Sequence, residues 1–115
     1  MKNAINTIKL SACISAQDGV ISNRELDTCF ELISEKYTEI DKDLFDATID
    51  AFFDENLSLD DYLQNMLAQD HNDNKNILKI CYESAISDGF DIKENLAFTK
   101  ACSFFNIDEK EITDA

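Results

Sequence analysis

Two stretches decide the fold: Ser15-Ala16-Gln17-Asp18-Gly19-Val20-Ile21-Ser22-Asn23-Arg24-Glu25 and Ala85-Ile86-Ser87-Asp88-Gly89-Phe90-Asp91-Ile92-Lys93-Glu94. They hold both glycines of the chain, each directly after an aspartate. A glycine takes the left-handed conformation that ends a helix. In each stretch a residue that caps helix N-termini follows, Ser22 or Asp91, with a glutamate three positions later. This is the capping-box pattern, in which cap and glutamate satisfy each other's backbone N–H. Each stretch therefore reads as helix, tight turn, helix. With the caps aligned, the second turn is one residue shorter than the first. The chain reads as two related helix–turn–helix halves around a helical middle.

The flanking sequence agrees. Ile5, Ile8, Ala12 and Ser15/Ala16 recur at helical spacing, predicting a first helix from about Asn3 to Gln17. Leu26, Cys29/Phe30, Ile33 and Tyr37 share a face behind the first box. Asp41 is a further N-cap, followed by a wide apolar stripe of Leu44, Phe45, Thr48, Ile49, Phe52 and Phe53. Ser58 opens a helix with Leu59, Tyr62, Leu63, Met66 and Leu67. Asp70-His71-Asn72-Asp73-Asn74 reads as the most loop-like stretch. Ile77, Leu78, Cys81 and Ala85 then lead to the second turn. Leu96/Ala97, Phe98, Ala101, Cys102, Phe104 and Phe105 follow it, and Asp108 to Glu111 cap a last short turn. No proline is present, and no strand alternation is visible. The expectation is an all-α, compact bundle of six to seven helices over a single domain, residues 1–115.

The 24 acidic residues outweigh 10 basic ones, giving a formal charge of −14. Such a surface repels nucleic acid, whose phosphates need Lys or Arg to neutralise them, and disfavours anionic membranes. It suits cations or a protein partner with a basic surface. No segment has the length or apolarity of a membrane span, and the N-terminus lacks a signal-peptide core. Cytoplasmic location is the expectation. Cys13, Cys29, Cys81 and Cys102 form no C-x-x-C pair and fall among apolar helical positions, so they read as buried thiols and not as a zinc site.

Two groups of carboxylates are candidates for function. The first lies at the turns. Asp18, Gly19, Ile21, Ser22 and Glu25 match the second half of a calcium loop, but Ile14 and Ala16 would occupy its first ligand positions and offer no side-chain oxygen, so an EF-hand is not the expectation. The acids can cap helices, or supply part of the shell of a calcium, magnesium or manganese ion. The second group is Asp43, Asp46, Asp50 and Asp54, at helical spacing opposite Phe45, Ile49 and Phe53. It is either a solvated face or a docking surface for a basic partner. An acidic inhibitor that mimics nucleic acid is the alternative function for such a surface. No paired nucleophile and base, and no glycine-rich phosphate loop, is present, so no catalysis is expected. Acid–base chemistry would need a buried carboxyl pair with one raised pKa.

The doubled unit resembles the TerB-like family of bacterial tellurite-resistance proteins. The likeness rests on Ala16-Gln17-Asp18-Gly19-Val20-Ile21 with Glu25-Leu26, on Ser84-Ala85-Ile86-Ser87-Asp88-Gly89, and on the ending Phe104-Phe105-Asn106-Ile107-Asp108-Glu109-Lys110-Glu111. It covers most of the chain. The resemblance implies a small helical fold, a cytoplasmic bacterial protein without catalysis, and a link to stress responses and to phage or oxyanion resistance. It also implies a divalent-cation site at the acidic turn residues, which here are Asp18, Glu25, Asp88 and Glu94.

Overall fold

A computed structural model of the chain describes residues 2–66 and 70–114. Among these it has seven helices and no strand: α1 (Lys2–Ser15), α2 (Asn23–Lys36), α3 (Lys42–Asp54), α4 (Leu59–Asn65), α5 (His71–Ile86), α6 (Ile92–Phe104) and α7 (Lys110–Thr113). The all-α expectation is met. None of the described helices is long and apolar enough to cross a membrane.

α1 is the central element and packs against α2, α3, α4, α5 and α6. A helix covered on most sides must be apolar or small most of the way round. α1 meets this with Ala4, Thr7, Ile8, Leu10, Ser11, Ala12, Cys13, Ile14 and Ser15, all buried. Its sides feed two cores. Ala4, Ile8 and Ala12 meet Cys29, Ile33, Ile40, Phe45 and Ile49 of the α2–α3 side. Leu10, Cys13 and Ile14 meet Leu63, Leu78, Cys81, Phe98 and Cys102 of the α4–α6 side. All four cysteines are free and buried. Burial pushes each thiol up, Cys13 to about 11, so none is a ready thiolate.

The helix starts follow the local signals. Ser22, Asp41, Ser58 and Asp91 each accept a hydrogen bond from the backbone N–H three residues on, and Ser58 closes an additional capping box with Asp61. Both glycines adopt positive φ, +93° at Gly19 and +86° at Gly89.

Two expectations are corrected. The stretch from Asp70 to Asn74 is not a loop: Asp70 is an N-cap whose side chain accepts from Asp73 N at 2.8 Å, and His71 onward is the first turn of α5. Asp and Asn crowd here because helix N-termini favour them. Phe53 does not belong to the buried stripe of α3. Phe45 and Ile49 are buried, but Phe53 is 53% exposed. At 3.6 residues per turn, eight residues rotate the helix face by about 80°, which carries Phe53 off the core. Leu67, assigned to the α4 stripe from the sequence, lies outside the described residues.

Candidate functional site

α1 and α5 pack side by side and end at the same end of the bundle, so the two Asp-Gly turns meet there. They enclose an open cleft of about 340 Å³. The first turn contributes Asp18, Val20, Ser22 and Glu25, the second Asp88, Gly89, Phe90, Asp91 and Glu94. All four turn acids singled out in the sequence therefore share one cavity. Asp91, which the sequence marks as a cap, joins them as a fifth carboxylate.

Each glutamate is held by its own box. Ser22 N donates to Glu25 Oε1 at 2.9 Å, and Glu25 N donates to Ser22 Oγ at 3.1 Å. Asp91 N donates to Glu94 Oε1 at 3.3 Å, and Glu94 N donates to Asp91 Oδ1 at 2.8 Å. Asp18 Oδ1 accepts from Val20 N at 3.1 Å, which folds the first turn tightly. N3 residues are usually solvated, yet Glu25 and Glu94 are only 6% and 5% exposed.

The two boxes aim their glutamates at each other, with the Glu25 carboxyl within hydrogen-bonding reach of Glu94. Among the described residues no N–H or O–H donates to the buried Glu94 Oε2. Two ionised carboxylates cannot hydrogen-bond, because each only accepts. Something positive has to stand between them: a proton shared by the pair, or a cation. Burial, and then the Glu25 carboxyl, push the Glu94 pKa up to about 8; the Asp91 charge adds to this, and the Asp91 backbone N–H opposes it. At neutral pH the pair thus holds a proton.

The donor set is of the type a hard divalent cation could use. It consists of carboxylate oxygens, it is partly desolvated, and one oxygen lacks a donor. Among the described residues no group of three or more His, Cys, Asp or Glu side chains is arranged to hold a metal ion. The protein's ready contribution is therefore the Glu25–Glu94 pair. That suits an ion such as magnesium, which is commonly held by one or two carboxylates and keeps several waters.

The second candidate group lies elsewhere. Asp43, Asp46, Asp50 and Asp54 are exposed on α3, and none lines the cleft. Asp46 is paired with Lys42 at 3.3 Å. His71 is on the surface with its Nε2 3.3 Å from Glu111 Oε1.

No protein-family model, curated protein or solved structure matches this chain.

Proposed function

We propose that the chain is a non-enzymatic binding module of the TerB-like kind that takes up a divalent cation between its two Asp-Gly turns. The observation that carries the reading is the buried Glu25–Glu94 pair with an oxygen that lacks a donor. A calcium, magnesium or manganese ion in place of the shared proton would offset both the burial and the repulsion that raise Glu94, and Asp18, Asp88 and Asp91 add negative potential at the mouth of the cleft. A cytoplasmic stress-response role belongs to the same reading and rests on the sequence motifs alone.

Thermal unfolding with each of the three ions tests it. A ligand at a hundred times its Kd adds about 2.7 kcal/mol. In a domain of this size that raises Tm by roughly 10–20 °C. The Glu25→Gln/Glu94→Gln variant keeps the shape of the pair and should lose the rise, and Asp18→Asn/Asp88→Asn should weaken it. An equal rise in wild type and both variants would mean that the ions merely screen the −14 surface, and the reading fails.

The raised Glu94 also favours a second reading, acid–base catalysis by the pair. Both glutamates are tied through Oε1 to capping N–H groups, which suits a fixed ligand site better. Hydrolysis of peptide or glycoside substrates by wild type but not by Glu94→Gln would reverse that preference.

A further inference from the structure

Seven large apolar side chains are exposed among the described residues, and four of them, Val20, Phe53, Leu57 and Leu96, line clefts that the first Asp-Gly turn borders. The segment from Ala16 to Val20 borders three clefts. Val20, 66% exposed, walls the acidic cleft. Ala16 and Gly19 border a second, of about 210 Å³, walled by Phe53 and Leu57. Gln17 borders a third, of about 280 Å³, walled by Leu59 and Leu96. Ile92, 78% exposed, lies one helical turn before Leu96, which is 64% exposed, so both project from one face of α6. Single exposed apolar residues need no explanation, but a cluster flanked by polar groups marks an interaction site.

Charge decides what can cover it. A second copy would bring another −14 against the first, and Asp18, Asp88 and Asp91 stand inside the patch while Asp54 adjoins Phe53. Of the two lysines beside Leu96, Lys100 is neutralised by Asp60 at 2.9 Å, which leaves Lys93. The local field is negative, and the side clefts have apolar walls. An amphipathic segment with apolar anchors flanked by Lys or Arg complements both features. We propose that this end of the bundle docks such a basic amphipathic segment of another protein. The proposal does not depend on the cation site and is tested without divalent ions.

The probe is a labelled synthetic helix of leucine and lysine, with a leucine–glutamate helix of equal length as control, titrated with the full chain in EDTA. Wild type should bind the first and not the second. Phe53→Ser and the double variant Val20→Ser/Leu96→Ser should each weaken binding about tenfold or more, the usual effect of truncating an interface anchor. Phe104→Ser removes an equally exposed apolar group roughly 18 Å along α6 from Ile92 and should leave binding unaltered. All the replaced side chains are exposed, and circular dichroism checks that the variants fold. Equal binding of both helices, no effect of the patch variants, or an equal loss with Phe104→Ser overturns the proposal. So does a dimer in sedimentation that Leu96→Ser dissolves, because the patch would then belong to a second copy.

Discussion

The two Asp-Gly turns carry the same motif and differ in what it does. In the first, a neutral serine caps α2 and holds Glu25 through a 2.9 Å bond from its backbone N–H. In the second, a charged aspartate caps α6, and the corresponding bond to Glu94 is 3.3 Å. The second turn thus grips its glutamate less closely and adds a negative charge beside it. Burial and then the Glu25 carboxyl push Glu94 up to about 8, and both effects work in the same direction. A repeat that looks symmetric in sequence therefore holds its two glutamates differently, and the pair shares one proton. The same capping interaction that starts each helix also aims its carboxylate into the cleft. Helix capping and the proposed ligand site use the same residues, so the two are not competing explanations.

The largest test of that asymmetry is pH. Glu94 moves from an ordinary 4.5 to about 8 on folding, so the folded state binds a proton more tightly than the unfolded one. The resulting stability is fully present below pH 4.5 and is lost as pH rises through 8. The ionisation of other groups also shapes the profile, so the comparison is with Glu94→Gln, which has no proton to lose. The Tm of wild type relative to the variant should fall steadily across this interval and level off above it. A cation that replaces the proton should stabilise wild type most at the alkaline end. A constant difference between the two proteins would show that the pair is not buried together.

The glycines offer the next test, because here the turns should behave alike. A Cβ at either position meets no atom within 4 Å, so only the positive φ opposes a side chain. Gly19→Ala and Gly89→Ala should each cost about 1–2 kcal/mol, the penalty for a left-handed alanine. Chemical denaturation measures both. A much larger loss at one of them would mean that its turn carries tertiary strain the other lacks.

These local features are the part of the molecule that the sequence states openly. The capping boxes at Ser22 and Asp91, the caps at Asp41 and Ser58 and the glycine turns depend on neighbours within a few residues, and all are found where the pattern places them. The stretch from Asp70 to Asn74 misleads because loop residues and N-terminal helix residues are chemically the same, and only the Asp70 cap bond distinguishes them. Phe53 misleads because the apolar stripe of α3 is followed past the point where helical rotation removes it from the core. The meeting of Glu25 and Glu94 is not local at all. It follows from α1 and α5 packing with their ends together, and the one hint of it in sequence is that both turns carry the same acids. The apolar ring about Asp18 is equally hidden, because Val20, Phe53 and Leu96 come from three distant segments.

The caps give the smallest effect and the finest discrimination between the turns. Ser22→Ala removes the acceptor for Glu25 N and should cost about 1 kcal/mol. Asp91→Ala removes the equivalent acceptor for Glu94 N, but also a charge that opposes ionisation of Glu94. Part of the loss is therefore offset, and the cost should be smaller than at Ser22. Asp91→Ser separates the two contributions, because serine keeps the cap and discards the charge. It gives the second turn the chemistry of the first, so the Glu94 pKa should move down, read by NMR titration of its side-chain carboxyl carbon. If Asp91→Ser leaves that titration in place, the neighbouring charge is immaterial. The asymmetry of the pair would then come from burial and from Glu25 alone.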